Sequence, residues 1–439
     1  MFLNTPYQLL ILSFINFGSK FVRKNKMNNW KEATLDKVIE LIIDHRGLTP
    51  KKLGGDWSDL GYRAISAKTI KNGQLVNEDQ MNILPENLYK KWMKEETQYG
   101  DIFLTSEAPL GEHIIWKSKE KLVLSQRIFG IRTKKEILDP FFFNYFIDSK
   151  YYQHQLKSRE SGSTVSGIKQ SELLKTKVLF PSLSEQKEIV ATLSSIDEKI
   201  ELLRKQNETL EKIAQGIFKE WFVDFTLPAE VLTKVGIDGK KLKLENGIPE
   251  GWRVGKLTDI ANFLNGYAMQ KFPAENKNDY LPVIKIKEMN SGITDQTDKA
   301  SKNIPEKYIV NNGDILFSWS GSLDINIWKY GKGALNQHLF KVTSEEYPKW
   351  FYFYWIKYHL PNFRQVANAK AVTMGHIQRH HLDDVQVVIP NVENLKKSNA
   401  IIEPIFEKTI LNNSQIQTLS NLRNMLLPKL MSGKFKLEK

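Results

Sequence analysis

Near the middle of the chain, large aliphatic residues recur at alternating steps of three and four, which is the a/d spacing of a coiled-coil helix. The predicted seam comprises Leu193, Ile196, Ile200, Leu203, Asn207, Leu210, Ala214 and Ile217. Asn207 is its polar member, and one Asn at an a position lowers stability while it fixes the register of the paired helices. Ser182 and Glu185 have capping-box spacing directly after Pro181, so the helix is predicted to begin there.

A second helix is predicted after Pro390, where Asn391 takes the equivalent capping position. Its seam comprises Ile402, Ile405, Asn412, Ile416, Leu419 and Leu426. Thr409 and Arg423 interrupt this seam. Because a helix with a seam needs a partner, we expect the two helices to pair antiparallel, with a globular domain at each end of the pair. The alternative is two ordinary amphipathic helices, each packed on its own domain.

The two regions that precede these helices have similar sequences. YGDIFLTSEAPLG at 99–111 aligns with NGDILFSWSGSLD at 312–324, and SQRIFGI aligns with NQHLFKV. TVSGIKQSELLKTKVLFP aligns without a gap with TMGHIQRHHLDDVQVVIP, and these segments end at Pro181 and Pro390. An internal repeat of this kind indicates two domains with one fold.

Within each repeat, short β-branched and apolar runs lie between Gly, Asn and Asp turns, which is typical of strands. Aromatic runs at 141–146 and 350–355 could stack on bases, but adjacent aromatic residues on one helix point in several directions, so buried helices are favoured. The predicted fold class is mixed α/β (α+β), with two similar domains separated by two long helices. These helices pair as an antiparallel coiled coil, and a pseudo-twofold internal repeat relates the two halves.

These patterns divide the chain into six segments. They are an N-terminal extension (1–26), a first globular domain (27–181), a central helix (182–228), a linker (229–250), a second globular domain (251–390) and a C-terminal helix (391–434). The extension is interpreted as untranslated or disordered, with the functional start at Met27. Its apolar stretch at 7–17 is too short to span a bilayer and has no basic residue before it.

The composition adds a preference for an anionic partner. The chain has 63 Lys and Arg residues against 50 Asp and Glu residues, a formal net charge of +13, although a merely basic surface gives the same balance. It has no cysteine, which excludes disulfides, thiolate zinc sites and cysteine nucleophiles and fits a cytoplasmic location. Two similar basic domains suit two half-sites on double-stranded DNA, and because their loops differ the whole target should be asymmetric.

The repeated motifs carry a family resemblance over nearly the whole chain from Met27. The GDIF and GDIL segments, the SQRIFGI and NQHLFKV segments, the junction LFPSLSEQKEIVATLSSIDEKI and the helix ending IFKEWFVDF together resemble the specificity (S) subunit of type I restriction-modification enzymes. The second junction departs from the family's Pro-x-x-x-Glu-Gln pattern. It reads PNVENLKKS, with Asn394 interpreted as the counterpart of Gln186, and this difference bears on any contact that the second junction makes with a partner.

The resemblance implies a non-catalytic subunit in which each target recognition domain reads one half of a bipartite DNA target. The paired helices would set the length of the unread spacer and dock two modification subunits, which carry S-adenosylmethionine and methylate adenine. Restriction subunits that use ATP and magnesium would join for cleavage. The chain itself is expected to hold no cofactor and no metal, and to have no membrane partner.

Candidate DNA-binding residues combine suitable charge or hydrogen-bonding groups with a place near turns and repeated motifs. In the first domain they are Arg46, Lys51, Lys52, Arg63, Lys68, Ser106, Arg127, Ser163 and Thr164, and in the second they are Lys285, Lys287, Trp319, Ser320, His338, Thr373 and Arg379. A solvated charged face explains any single cation among them equally well. Gln126 and Gln337 are the same in both repeats, so a framework hydrogen bond is favoured over base reading.

A histidine group in the second repeat has an alternative interpretation. His376 and His380 have the i, i+4 spacing of metal ligands, with His381 beside them. The first repeat has no histidines at these positions, so groove-lining or surface histidines are favoured over a metal site.

Two other functions fit parts of the pattern. A self-contained DNA-cleaving enzyme built from scattered carboxylates and a lysine is compatible with the sequence. An Asn- or Asp-Pro-Pro-aromatic methyltransferase motif and a phosphate-cradling G-x-x-x-x-G-K-[ST] loop are absent from it. The other is a structural coiled-coil adaptor with protein-binding domains, which competition by salt and by non-specific DNA would separate from a DNA reader.

Overall fold

The computed structural model describes residues 21–23, 30–162, 166–226, 244–276, 278–369, 375–433 and 435–437. The chain forms two compact units. The first unit consists of Met1–Glu198 and Asn421–Lys439, and the second unit consists of Lys199–Ser420. Each unit therefore contains one sequence repeat and a part of each long helix.

The secondary structure alternates short strands with a few helices. In chain order the described α-helices are α1 (Leu35–Val38), α2 (Glu86–Trp92), α3 (Pro140–Ile147), α4 (Lys150–Ser158), α5 (Gln170–Leu173), α6 (Leu183–Phe222), α7 (Leu257–Ile260), α8 (Ile286–Ser291), α9 (Lys349–Ala369), α10 (His380–Asp383) and α11 (Val392–Met431). Short 3₁₀ turns occupy Lys51–Leu53, Ala67–Thr69, Glu78–Gln80, Met269–Lys271 and Glu306–Tyr308.

The strands of the first unit are β1 (Phe21–Arg23), β2 (Lys31–Thr34), β3 (Ile39–Ile43), β4 (Tyr62–Ile65), β5 (Ile70–Lys71), β6 (Gln74–Leu75), β7 (Ile83–Leu84), β8 (Ile102–Thr105), β9 (His113–Ile115), β10 (Val123–Leu124), β11 (Ile128–Thr133) and β12 (Lys177–Phe180). Those of the second unit are β13 (Leu244–Glu245), β14 (Ile248–Pro249), β15 (Arg253–Lys256), β16 (Asn262–Asn265), β17 (Leu281–Ile284), β18 (Lys299–Ala300), β19 (Ile309–Val310), β20 (Ile315–Ser318), β21 (Ile325–Ile327), β22 (Gly333–Leu335), β23 (Leu339–Thr343) and β24 (Gln386–Ile389). A last strand, β25 (Phe435–Leu437), pairs antiparallel with β1.

The two units share one sheet topology. The antiparallel sheet with order β3-β11-β8-β9 in the first unit corresponds to β16-β23-β20-β21 in the second. The register agrees, since Ile131 lies opposite Ile102 and Val342 lies opposite Ile315. A parallel pair, β10 with β4 and β22 with β17, also recurs, as does the closing pair β12 with β2 and β24 with β15. The predicted mixed α/β fold and internal repeat are therefore confirmed.

The aromatic runs form buried helices, as predicted. In α9 every residue from Trp350 to Trp355 is at most 3% exposed, and in α3 Phe142, Phe143 and Phe146 are fully buried. The Asp139 carboxylate caps α3 by accepting hydrogen bonds from the amides of the second and third residues that follow it. These rings make up the apolar cores and are not available to stack on bases.

In the second unit, the two long helices run antiparallel. Asn207 of α6 contacts Asn412 and Asn413 of α11, whereas Phe218, further along α6, shares an apolar cluster with Ile402, earlier in α11. The predicted antiparallel coiled coil is therefore confirmed. Of its predicted seam, Leu193, Ile196, Ile200, Leu203, Ile402, Asn412, Leu419 and Leu426 are buried, and Asn207, Leu210, Ile217, Ile405 and Ile416 are half-buried.

A small cluster of asparagine side chains fixes the register of the two helices. The Asn207 Nδ2 donates to Asn413 Oδ1 over 3.1 Å, and the Asn412 Nδ2 donates to Asn207 Oδ1 over 2.9 Å. Asn412 is fully buried. Because a buried amide without a partner is costly, a shift of one helix along the other is opposed by the loss of these hydrogen bonds.

The two residues that interrupt the second seam each find polar partners nearby. Thr409 is buried, and its hydroxyl donates to the Ile405 carbonyl of the preceding turn over 3.1 Å. In the first unit, Arg423 forms ion pairs with Asp197 at 2.8 Å and with Asp148 at 3.2 Å. Both polar residues are therefore accommodated within the helix packing.

Both long helices begin at the predicted caps. In α6, which starts at Leu183, the Glu185 amide donates to Ser182 Oγ over 3.4 Å. In α11, which starts at Val392, the amide three residues after Asn391 donates to the Asn391 side chain over 2.9 Å.

Gln186 ties the start of α6 to the first domain. It is fully buried, and its Oε1 accepts from the Asp139 amide over 2.8 Å. Its Nε2 donates to the carbonyls of Ile137 and Pro181, each over 3.0 Å. The junction glutamine therefore joins the strand end, the helix and the loop before α3.

The second junction is built differently. Because β12 and β24 end directly before Pro181 and Pro390, the counterpart of Gln186 is Leu395, which packs against the apolar core. The interpretation of Asn394 as that counterpart is wrong by one residue, since Asn394 belongs to the helix cap. Apolar packing replaces the glutamine hydrogen bonds at this junction.

The N-terminal region is described in part. Residues 1–20 lie outside the described residues, and the apolar stretch at 7–17 lies there with them. Among the residues that are described, no helix combines the length and the apolar character needed to cross a membrane.

We predict that Asn207→Ala lowers the free energy of unfolding by about 1–3 kcal/mol, because the buried Asn412 amide loses its partner. Chemical denaturation followed by circular dichroism measures this change. Gln206→Ala, at the exposed neighbouring position, is the matched control and should change stability by less than about 0.5 kcal/mol. Equal effects of the two substitutions would contradict a role for Asn207 beyond helix propensity.

Candidate nucleic-acid interface

The GDI segments of both repeats form the same turn. In the first unit Asp101 accepts from the Gln98 amide over 2.7 Å and forms a buried ion pair with Arg132 at 2.8 Å. This carboxylate raises the pKa of Arg132. In the second unit Asp314 holds the equivalent turn and pairs with Lys341 at 3.1 Å. The GDI aspartates are therefore framework residues that fix the start of β8 and β20.

Main-chain hydrogen bonds fix the other end of these strands. Just beyond β8, the Ser106 amide donates to the Arg127 carbonyl over 2.8 Å, and its carbonyl accepts from the Ile168 amide over 2.9 Å. These bonds join the three segments through main-chain atoms alone.

The second unit repeats this arrangement. Just beyond β20, the Trp319 amide donates to the His338 carbonyl over 3.5 Å, and its carbonyl accepts from the Ile377 amide over 2.9 Å. We name the equivalent positions strand-end sites, which are Ser106, Glu107 and Arg127 in the first unit and Trp319, Ser320 and His338 in the second.

The first strand-end site carries a charged pair. Arg127 Nε lies 2.9 Å from Glu107 Oε1, and the two side chains are 43% and 30% exposed. Arg127 has a φ of +68°, a left-handed conformation that is uncommon for an arginine and that occurs more often at functional sites. Glu107 pairs with the main chain of Gly167, where a Cβ would lie 2.8 Å from the Glu107 Cβ. Close packing therefore requires glycine at that position, while Ser106 itself is buried.

Arg46 lies against this site. Its guanidinium forms two hydrogen bonds of 2.8 Å with Asp44 and contacts the Ile168 carbonyl at 3.3 Å. It also lies 3.9 Å above the centre of the Phe129 ring. These contacts hold the arginine beside Ile168, whose amide is bonded to the Ser106 carbonyl.

Lys68 is the second cation near the first strand-end site. It is exposed in the turn Ala67–Thr69, and the Ala67 amide donates to the Gln126 carbonyl over 3.4 Å. The structure thus brings Arg46, Lys68 and Arg127 into one region of the first unit.

The second strand-end site consists of aromatic rings and of polar side chains joined by hydrogen bonds. The Trp319 and His338 rings are 5.5 Å apart, and Ser320 Oγ lies 3.1 Å from His338 Nδ1. Trp319 Nε1 donates to Asn265 Oδ1 over 3.1 Å. His376 is exposed at the edge of this group, with its ring 6.5 Å from Trp319. Ser320 is buried, so the site exposes mainly the Trp319 ring, the Asn265 amide and the His338 imidazole.

The repeated glutamines contribute to the framework through their main chains. The Gln126 carbonyl accepts from Ala67, and the Gln337 carbonyl accepts from the Trp319 indole over 3.1 Å. The Gln126 side chain is exposed, and Gln337 Nε2 lies 3.3 Å from His338 Nε2. Both positions therefore border the strand-end sites.

The remaining cations of the first unit differ in whether a carboxylate of the protein already neutralises their charge. Arg63 forms ion pairs of 2.7 Å with Glu78 and with Glu120, and hydrogen bonding to Glu120 is the main cause of its raised pKa. Lys52 donates to the Gly47 carbonyl over 2.6 Å, while Lys51 is exposed. Lys51 and Lys52 therefore keep more of their charge for an external anion than Arg63 does.

The second unit shows the same contrast. Lys285 is paired with Asp298, whereas Lys287 is exposed. Arg379 is exposed two residues after Ile377. The predicted contacts Ser163, Thr164 and Thr373 lie outside the described residues.

The histidines after 375 are arranged as neighbours. The rings of His380 and His381 are 4.0 Å apart, and His381 Nδ1 accepts from the Gln378 amide over 2.8 Å. Within the part of the chain that the structure describes, no group of three His, Cys, Asp or Glu side chains is placed to hold a metal ion.

Two polar members of the strand-end regions were not predicted from the sequence. Glu107 carries a negative charge that argues against a DNA surface, and Asn265 lies in another strand. Glu107 could have been found from the repeat alignment, where it stands opposite the candidate Ser320. No comparable signal marks Asn265.

Comparison with known proteins assigns the family. A family model described as the type I restriction modification DNA specificity domain matches residues 27–212 and 249–421. The specificity subunit of the type I restriction enzyme MjaIX from Methanocaldococcus jannaschii is 30% identical over 403 residues, which cover 89% of this chain and 87% of that protein. The HindI specificity subunit from Haemophilus influenzae is 22% identical over 404 residues, which cover 77% of this chain and 87% of that protein.

A solved structure agrees with this assignment at the level of the fold. The crystal structure of the S subunit of a type I restriction-modification system from M. genitalium has a TM-score of 0.56 at 17% identity, covering 93% of this chain and 97% of that one. Because the family model covers both repeats and a 30% identical relative spans most of the chain, the chain belongs to the family of type I restriction-modification DNA specificity subunits.

Proposed function

We propose that this chain gives a type I restriction-modification complex its DNA sequence specificity, with each unit reading one half of a bipartite, asymmetric target. One observation carries the proposal. Equivalent main-chain frames present Glu107 with Arg127 in the first unit and Ser320 with His338 in the second. A shared frame with different polar groups is what two half-sites of different sequence require.

The chemistry of the two pairs suits different bases. An arginine can form two hydrogen bonds with the O6 and N7 of guanine, and a glutamate can accept from the N4 of cytosine. The first strand-end site therefore fits a G·C pair. Serine and histidine donate and accept with less restriction, and Trp319 adds an apolar face beside them.

Exposed cations around these sites would hold the DNA backbone. Lys51, Lys68, Lys287 and Arg379 are exposed, which suits contact with phosphates. Arg63 and Lys285 are engaged with carboxylates and contribute less, since those pairs must open before a phosphate can bind.

The paired helices would set the unread spacer and dock two modification subunits. A register fixed by the Asn207 cluster suits a spacer of constant length. Restriction subunits would join the same complex.

In this proposal the chain recognises DNA and does not catalyse. The absence of a methyltransferase motif and of a phosphate-cradling ATP motif from the sequence supports that division of labour. S-adenosylmethionine would bind to the modification subunits, and ATP and magnesium to the restriction subunits.

We predict that Glu107→Ser with Arg127→His changes or abolishes base preference in one half of the methylated motif and leaves the other half intact. The double substitution places the second unit's polar pair on the first unit's frame. The measurement is single-molecule sequencing of N6-methyladenine in the native host carrying the variant.

A matched pair elsewhere in the first unit serves as the control. Glu96 and Lys121 also form an exposed ion pair, at 2.7 Å, but not at a strand-end site. Glu96→Ser with Lys121→His should leave the motif unchanged. An unaltered motif in the strand-end variant, with methylation still present, would show that these residues do not read bases.

We also predict that Lys68→Gln weakens binding to all DNA sequences alike. It should reduce the slope of log affinity against log salt by about one, because one phosphate contact is lost. Fluorescence anisotropy with the purified chain at several salt concentrations measures the slope. The control is Lys121→Gln, which should leave the slope unchanged because Lys121 is already paired with Glu96. If Lys68→Gln and the unmodified chain have the same slope, Lys68 is not part of the interface.

A further inference from the structure

The second unit contains a cleft of about 370 Å³ that none of the roles above uses. It lies where the loop after β21 meets the two long helices. Arg204 and Glu208 of α6, Lys329 and Tyr330 of the loop, and Asn413 and Ser420 of α11 line it.

Two cations share this cleft. Arg204 is exposed and Lys329 is half-buried. The pKa of the Lys329 ammonium is lowered, first by burial and second by the positive charge of Arg204. The charge of Lys329 is therefore partly desolvated and repelled, a state that a bound anion would relieve. The lining also contains one carboxylate, that of the exposed Glu208.

Neutral donors complete the lining. The Asn413 Oδ1 accepts from Asn207, so the Asn413 amide nitrogen keeps its own N–H groups for a ligand. Ser420 adds a hydroxyl. Tyr330 is held in place by the Trp328 ring at 5.2 Å and by Gly292, where a Cβ would lie 2.9 Å from the tyrosine ring.

We propose that this cleft binds a phosphate group. The two cations outnumber the single carboxylate of Glu208, so the lining keeps a net positive charge, and its neutral donors suit the several oxygens of a phosphate group. The guanidinium of Arg204 can form two parallel hydrogen bonds with phosphate oxygens, and Lys329 supplies a compact positive charge. This inference does not depend on DNA reading by the strand-end sites.

A phosphate here would connect the loop after β21 with both long helices. Binding to the folded state alone raises thermal stability as ligand concentration rises. The site would therefore tie the second domain to the helix pair when phosphate is present.

The test uses the full chain and inorganic phosphate. Calorimetric titration and thermal unfolding are compared in phosphate and in chloride at equal ionic strength and pH. The unmodified chain should show saturable binding and a rise in unfolding temperature that saturates with it. Lys329→Gln and Arg204→Gln should each weaken phosphate binding by about tenfold or more, because a charged hydrogen bond is lost.

Two further variants separate a binding role from a folding role. Lys332→Gln removes an exposed cation from the same loop and should keep the affinity of the unmodified chain. Lys329→Arg keeps the charge and should retain most of the binding. No saturable phosphate effect in the unmodified chain, or an equal loss in Lys332→Gln, would overturn the proposal.

DNA binding distinguishes the two sources of phosphate. If a backbone phosphodiester occupies the cleft, Lys329→Gln should also lower the salt slope of DNA affinity by about one. If the ligand is free phosphate or a phosphomonoester, the slope should stay the same while phosphate binding is lost. DNA binding that persists without any phosphate effect would contradict this site alone and leave the proposed DNA recognition standing.

Discussion

Main-chain hydrogen bonding at the ends of β8 and β20 is the constraint on which the rest of this structure depends. The amides of Ser106 and Trp319 reach the carbonyls of Arg127 and His338, and each segment is also bound to a third. Since these bonds use no side chain, the fold tolerates different residues at the same places. The GDI turns add an aspartate paired with a cation in each unit, buried in the first and half-buried in the second, which keeps the strands in position. The main-chain atoms therefore hold the strand ends together, which leaves the side chains at these positions for the proposed recognition.

The helix pair also combines two kinds of contact, which are apolar packing along the seam and one cluster of polar side chains. Aliphatic residues fill most of the seam, and apolar contact alone would tolerate several registers. The cluster of Asn207, Asn412 and Asn413 favours one register because each alternative leaves a buried amide without a partner. Compared with an entirely aliphatic seam, these polar groups lower stability, but once they are present their mutual hydrogen bonds fix one register.

Periodicity and self-similarity made most of the fold predictable. The seam, the caps at Ser182 and Asn391, the repeat and the buried aromatic helices depend on residues close in sequence, so their patterns are visible in it. The ion pairs of Arg423 with Asp148 and Asp197 join distant segments and leave no such pattern. The misplacement of Asn394 has a different origin, because Gln186 lies five residues after Pro181 and the residue five after Pro390 is Leu395, a match that the sequence itself contains. The exact contacts of the site were less predictable, since Glu107 and Asn265 matter only through their neighbours in space.

The net charge of +13 indicated an anionic partner but not which cations would meet it. Arg63 and Lys285 already hold carboxylates, whereas Lys68 and Lys287 are exposed. The pair of Arg127 with Glu107 is an intermediate case. Exposed ion pairs contribute only about 0–1 kcal/mol, so opening this one costs little compared with the roughly 1–3 kcal/mol that a good two-bond contact to a base provides. An internal partner therefore keeps Arg127 oriented in the free protein, and the low cost of opening the pair is compatible with the proposed contact between Arg127 and DNA.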